Sequence, residues 1–254
     1  MRRPAPRYGS VVFDCDSTLS AVEGIDELAG PRRAEVARLT DAAMLGEIPL
    51  EAVYGRRLDL IRPTRAQVDA LAHQYIAALV PDAPAVIDAL RGEGVAVRIM
   101  SGGLLPAVAA LAAHLGIPAT DVGAVGIQFD PAGVFTGFDQ RSPLTRAGGK
   151  HELMSAWRCE LPGPVMFVGD GATDLEAASA ADLFVAFAGI ADRPAVTAAA
   201  DVVIRTLSLA PIVALALGDT GSANPTTRAL LSAGRALLEM RETSPSLMRD
   251  PTHR

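Results

Sequence analysis

The sequence is poor in aromatic residues, cysteine and histidine, and it carries no excess of positive charge. Aromatics make up 4% of the chain, so its core must rest on aliphatic side chains and alanine. Half of the 254 residues are hydrophobic, which is ample material for one. The net charge of −6 excludes nucleic acid as a main partner, because a surface that follows a phosphate backbone needs clustered Lys and Arg. Cys15 and Cys159 are far apart and in no ligand spacing, which excludes a disulfide framework and a thiolate zinc site. His73, His114, His151 and His253 are scattered and make no zinc motif. No apolar run approaches the roughly 20 residues of a membrane-spanning helix. The opening "MRRPAPRYGS" is basic but leads into an apolar stretch that ends at Asp14, too short for a signal peptide. The expectation is a soluble, cytoplasmic chain with no membrane partner. Nothing in the sequence reports its oligomeric state.

What is present is a rhythm. Short apolar runs at 10–14, 95–103, 164–171 and 182–187, with a fifth at 201–204, have strand length and little alternation, as strands buried on both faces do. Helical patterns at 83–94, 104–116 and about 150–157 lie between them, closed by Gly92, Gly94 and Gly116. This alternation predicts an α/β fold: a doubly wound, Rossmann-like parallel sheet with helices on both faces. Residues 20–80 break the rhythm with successive helices and no strand, too long for a loop, and read as an inserted all-helical cap. Residues 1–19 and 81–217 then form the core. A hairpin is expected within 122–139. Residues 218–254 read as a linker, a C-terminal amphipathic helix and a disordered tail.

The chemistry sits at the ends of the apolar runs. "VVFDCDSTLS" (11–20) ends its strand in two carboxylates, Asp14 and Asp16, which repel unless water or a cation offsets them. The second run ends in Ser101, Gly102 and Gly103. The third ends in "GDGATD", with Asp170, Thr173 and Asp174. Lys150 opens a helix between the last two. In an open α/β sheet, ligands bind beyond the carboxyl ends of the strands. Oxygen ligands with one ammonium there suit a hard cation beside a phosphate.

Each residue also has a plainer reading. The aspartates could end a strand or cap a helix, Asp174 doing both. Ser101 could be a capping serine and Lys150 a solvated lysine. Glu23 and Arg57 could form surface ion pairs, and Met44 and Leu50 could be packing residues. Competing motifs fail: Asp174 stands where a dinucleotide fingerprint needs its third glycine. Leu144 occupies the first glycine of a P-loop, and Ile99 that of a nucleophile elbow around Ser101.

Taken in order, "FDCDST", "EGIDELA", "AMLGEIPLEA", "RLDLIRPTRAQV", "SGG", "GGK" and "GDGATDLEA" resemble the haloacid dehalogenase superfamily, and within it the phosphoserine phosphatase branch. The resemblance spans about residues 11–204. It implies a phosphomonoesterase that acts on a small-molecule ester, O-phospho-L-serine, with Mg²⁺ as cofactor. Asp14 would be the nucleophile and Asp16 the general acid and base. Asp14, the Asp16 carbonyl and Asp170 would hold the metal, and Asp174 a water upon it. Ser101 and Lys150 would bind phosphoryl oxygens, with Gly102, Gly103 and Thr173 close to the substrate. Glu23 would take the ammonium and Arg57 the carboxylate of serine, with Met44 and Leu50 as an apolar lid. Leu50 stands where the family more often has an aromatic. Two alternatives stay open: the same chemistry on another metabolite or toward an alcohol, and a non-enzymatic Mg²⁺/phosphate-binding module.

Overall fold

The computed structural model describes residues 8–44 and 50–243, with side chains 40–44, 50–51 and 241–243 left out. The first third of the chain runs β1 (Ser10–Phe13), α1 (Gly24–Ala29), α2 (Arg33–Met44), α3 (Leu50–Ile61), α4 (Arg65–Ala77) and α5 (Ala83–Gly92). The middle runs β2 (Ala96–Leu104), α6 (Leu105–His114), β3 (Val122–Val125), β4 (Ile127–Phe129), β5 (Phe135–Phe138) and α7 (Gly149–Arg158). The remainder is β6 (Val165–Gly169), α8 (Ala172–Ala177), β7 (Leu183–Phe187), α9 (Pro194–Thr197), β8 (Val202–Ile204), α10 (Ala210–Leu217) and α11 (Pro225–Thr243).

Six parallel strands form the main sheet in the order β3-β2-β1-β6-β7-β8. The chain therefore winds outward from β1 in both directions, and the reversal beside β1 opens a crevice beyond the carboxyl ends of β1 and β6. Phe13 lies opposite both Ile99 and Val168, so the residues that follow these strands emerge along one edge. Strands β1 and β6 are buried along their whole length, which is why Val, Met and Phe run there without alternation. Each fully buried Val, Leu, Ile or Phe contributes about 1.5–3 kcal/mol.

The helical insert α1–α4 leaves and rejoins the sheet through paired connections. Ala21 N–H donates to the Ala78 carbonyl and Val80 N–H to the Leu19 carbonyl, both at 2.9 Å. The Ser20 hydroxyl donates to the Tyr75 carbonyl at 2.9 Å. Helix α4 opens on a Thr64/Gln67 capping box.

Two expectations are revised. Residues 122–125 are not part of a hairpin; they form the sixth strand, β3, beside β2, and the hairpin is β4–β5 alone. The partner of β3 lies some 20 residues upstream on β2, and no local pattern reports it. The apolar run at 95–103 is strand β2, which runs to Leu104 with an irregular register against β3 between Met100 and Leu104. At the C-terminal end, the last residues of the expected linker already belong to α11, whose first turn is capped by the Asn224 side chain accepting from Thr226 N–H at 2.9 Å. Helix α11 is packed on the sheet's own helices: Thr227 and Leu231 are buried, and a Cβ at Gly234 would overlap the Ala210 carbonyl. The tail expected to be disordered, 244–254, lies outside the described residues.

Candidate active site

The carboxylates meet where the sheet reverses. Asp14 follows β1 directly, its N–H donating to the Val168 carbonyl of β6 at 2.8 Å. Asp170 follows β6 one residue beyond its end, and Asp174 returns from the first turn of α8. That return needs Gly169, where a Cβ would overlap the Asp174 carboxyl. Asp14, Asp170 and Asp174 are buried and each offers an oxygen within 4.8 Å of the others. Asp174 caps the first turn of its helix: Oδ2 accepts from Gly171 N–H at 2.8 Å and Asp170 N–H at 3.1 Å, while Oδ1 faces Lys150 in the shared cluster.

Lys150 enters the same cluster from α7. Its Nζ donates to Asp14 Oδ1 at 2.6 Å and to Asp174 Oδ1. The "GGK" motif has a steric cause, since a Cβ at Gly149 would overlap the Pro143 carbonyl and keep the start of α7 from its place. Only 6% of Lys150 is exposed. Burial works against its charge, but Asp14 and Asp174 outweigh it and hold its pKa above the ordinary lysine range. Burial and then the Asp174 charge push the Asp14 carboxyl well above the usual range, with Lys150 pulling the other way.

Asp16 is placed differently. Its Oδ1 accepts from the Tyr75 hydroxyl at 2.5 Å and its Oδ2 from Gly24 N–H at 2.9 Å, both from the helical insert. Burial lifts its pKa to about 6 against the pull of these two donors. The next two residues tie the turn down: Ser17 Oγ donates to Glu23 Oε1 at 2.7 Å and Thr18 Oγ1 to Asp170 Oδ1 at 3.3 Å. Ser17 takes a left-handed φ of 54°, a cost of about 1–2 kcal/mol for a residue with a Cβ, and the Cys15 carbonyl accepts from Thr18, Leu19 and Ser20 N–H groups to hold it.

Ser101 is 1% exposed, and its Oγ accepts from Gly103 N–H at 2.9 Å. Gly102 is half-buried and Gly103 buried, while Thr173 is exposed on the first turn of α8. Glu23 and Arg57 do not pair with each other. Glu23 accepts from Ser17 and from Arg193 Nη2 at 2.9 Å. Arg57 Nη2 is paired with Asp26 Oδ1 at 2.5 Å, and its Nε is buried with no partner among the described residues. The side chains of Met44 and Leu50 lie outside the described residues, so the expected lid does too.

Two residues of the site had no place in the sequence reading. Tyr75 lies on the buried stripe Val68, Leu71, Ala72, Tyr75 of α4, and a hydroxyl on such a stripe is a signal that it meets a polar partner. Arg193 comes from the turn before α9; its Nε donates to Asp170 Oδ2 at 2.8 Å. No local pattern marks it. Burial raises Asp170 to about 6, and Arg193 opposes that rise.

A hard divalent cation fits this donor set. Every ligand atom is an oxygen, and Asp14, Asp16, Asp170 and Asp174 outnumber the two cations that touch them, Lys150 and Arg193. Burial first, and then the neighbouring carboxylates, raise Asp14 and Asp170 against the pull of Lys150 and Arg193, and a bound cation would favour their charged forms.

The comparisons with known proteins agree with this geometry. The family described as haloacid dehalogenase-like hydrolase matches residues 8–182. The chloroplastic phosphoserine phosphatase of Arabidopsis thaliana is 38% identical over 198 residues, covering 76% of this chain and 67% of that protein. Human phosphoserine phosphatase is 38% identical over 183 residues, covering 71% of this chain and 81% of that one. A solved structure of a phospho-aspartyl intermediate analogue of phosphoserine phosphatase, 26% identical, matches with a TM-score of 0.66 over 82% of this chain and 98% of that one. No described helix is long and apolar enough to cross a membrane. With the carboxylate edge, the inserted helices and the matched family agreeing over most of its length, this chain belongs to the haloacid dehalogenase-like hydrolases.

Proposed function

We propose that the chain is a Mg²⁺-dependent phosphatase that hydrolyses O-phospho-L-serine to L-serine and phosphate through an aspartyl-phosphate on Asp14. The single observation that carries the chemistry is the buried cluster of Asp14, Asp170 and Asp174 bridged by Lys150. The choice of ester rests on the relatives, phosphoserine phosphatases at 38% identity.

In this reading an Asp14 carboxylate oxygen attacks phosphorus as the ester P–O bond breaks. Asp16, with its pKa near 6, gives its proton to the departing serine oxygen, which is otherwise a poor leaving group. The same carboxylate then takes a proton from the water that attacks phosphorus; the Asp14–phosphate bond breaks and both groups are restored. Tyr75 and Gly24 hold Asp16 on one rotamer through both steps. Lys150 has three N–H donors, and with two committed to Asp14 and Asp174 the third is left for a phosphoryl oxygen. Ser101 accepts from Gly103 N–H and so keeps its own proton to donate. Asp14, the Asp16 carbonyl, Asp170 and, through water, Asp174 would hold Mg²⁺, which supplies the positive charge that lets one anion approach another.

The inserted helices, residues 20–80, form the cap over this edge in the same proposal, with residues 1–19 and 81–217 as the catalytic core. Glu23 receives the serine ammonium. Arg57 receives the carboxylate, supported by its unpartnered Nε; its Nη2 gives up or shares Asp26. Gly102, Gly103 and Thr173 border the phosphoryl group. Serine biosynthesis in the cytoplasm is the setting we assign to the reaction. Phosphate release from a panel of phosphorylated metabolites, with Mg²⁺ and with EDTA, tests it. A sharp Mg²⁺-dependent preference for phosphoserine is expected. Release from other esters alone discards the substrate, and release from none discards the enzyme.

A further inference from the structure

Tyr54 of α3 connects the cap to the phosphate seat. The residue is 9% exposed, and its ring leans on Phe138 of the β4–β5 hairpin, with centroids 5.4 Å apart and planes inclined by 56°. Its hydroxyl donates to the Gly102 carbonyl of β2 at 2.9 Å. Beside the ring, a crevice of about 430 Å³ opens between α3 and the hairpin, walled by Gly55, Asp59, Thr136 and Thr145.

The consequence follows from peptide geometry. The Gly102 carbonyl and the Gly103 N–H belong to one planar, trans peptide and point in opposite directions. Holding the oxygen fixes the N–H. Two glycines flank that peptide, so little else in the backbone resists its rotation. The Gly103 N–H is the donor that Ser101 Oγ accepts at 2.9 Å. A serine hydroxyl that accepts there has its proton free for another acceptor. A side chain on the cap thus sets, through one peptide, the direction in which a buried serine of the core donates.

We propose that Tyr54 is a positioning residue that couples the seating of the cap to the readiness of the phosphate site, by locking the 102–103 peptide and so aiming the Ser101 hydroxyl at a bound phosphoryl oxygen. This deepens the phosphatase reading and rests on it. Tyr54 touches no reacting atom; the hydroxyl acts through Gly102, Gly103 and Ser101.

The test uses the full chain and inorganic phosphate as the probe. Binding is measured by calorimetry with Mg²⁺ present, and inhibition against p-nitrophenyl phosphate is measured beside it. Tyr54→Phe keeps the ring and its contact with Phe138 and removes only the hydroxyl. It is expected to weaken phosphate binding about tenfold, the net worth of one good hydrogen bond, and to raise KM more than it lowers kcat. In a Ser101→Ala background the same change is expected to have no further effect on phosphate. Phe138→Leu, which loosens the ring and keeps the hydroxyl, is expected to fall between Tyr54→Phe and wild type, and it stands in if Tyr54→Phe yields no folded protein. Unchanged phosphate affinity in the hydroxyl-less variant, with or without a lower thermal midpoint, makes Tyr54 merely structural and overturns the proposal. An equal loss with and without the Ser101 hydroxyl overturns it as well. Failure of the wild-type chain to bind phosphate at all overturns the phosphatase reading, and this inference with it.

Discussion

The carboxyl edge of the sheet and the helical insert, the proposed cap, hold their charges in opposite ways. Asp14, Lys150, Asp170 and Asp174 are each 6% exposed or less and cross-linked to one another. In the cap, the Arg57 and Asp26 side chains are 23% and 42% exposed, and Glu23 is 46% exposed. A buried charge that loses its partner has nowhere to turn, whereas a half-exposed one trades its partner for water at little cost. At the edge, a substitution that leaves a buried charge without its partner is costly. The insert can exchange partners, and in the proposed reading it is the part whose residues can be retuned for a different alcohol. Tyr75 and Tyr54 belong to the cap by sequence but to the edge by burial, and they transmit the cap's position to Asp16 and Gly102.

The largest effect expected at the edge is Asp14→Asn. Turnover should fall by at least about 10⁴-fold, in line with losses on removing a nucleophile, with no acid-stable or hydroxylamine-trapped phosphoenzyme. The fold should persist, and the midpoint in EDTA should not drop, because one of the mutually repelling carboxylates has been neutralised. A variant that still turns over would return the edge to a binding role.

On the cap side, Arg57→Ala should raise KM for phosphoserine about 10- to 100-fold, the worth of hydrogen bonds to a charged group. The effect on p-nitrophenyl phosphate, which has no carboxylate, should stay within a few-fold. Equal losses on both esters would make Arg57 a cap-packing residue and erase the contrast.

The charge imbalance of the edge is read by pH. An acid whose folded pKa is about 6, as for Asp16 and Asp170, against about 3.9 when unfolded, holds its proton more tightly in the folded chain. Its contribution is complete below the unfolded value and is lost as pH rises through 6. In EDTA the chain should lose up to about 3 kcal/mol per group between acidic and neutral pH, and Mg²⁺ should restore stability most at neutral pH and least near pH 4. A stability in EDTA that rises over this interval would show that the edge is already neutralised by Lys150 and Arg193.

The smallest effect belongs to the exposed rim of the cap. Arg33 pairs with Glu27 at 2.7 Å with both side chains largely in water. Arg33→Ala should cost less than about 0.5 kcal/mol in chemical denaturation and leave kinetics unchanged. A larger loss would mean that cap charges are not as replaceable as their exposure implies.

Much of this site is legible in the amino-acid sequence. Asp14, Asp16, Ser101, Lys150, Asp170 and Asp174 each follow or open an element whose apolar run or glycine pair is local, so the position of each along its strand also places it in space. The pairing of residues 122–125 with β2, the hairpin boundaries and the packing of α11 are not legible in this way. Each depends on a partner strand or helix distant in sequence. Ion pairing of Arg57 with Asp26 rather than with Glu23 is likewise a matter of which faces of α1 and α3 meet.

The sequence by itself determined the alternation of buried strands and helices, the helical interruption at residues 20–80 and the carboxylates that cluster at the strand ends, because hydrophobic periodicity and strand-terminal motifs act within a few residues. The tertiary structure decided that Tyr75 would hold Asp16 across 59 residues, that Tyr54 would hold Gly102 across 48, and that Arg193 would reach Glu23 across 170. Those bonds exist because packing the insert against the sheet edge removes water from polar groups that then must find one another, and which groups meet is a property of the packed chain, not of any stretch of it.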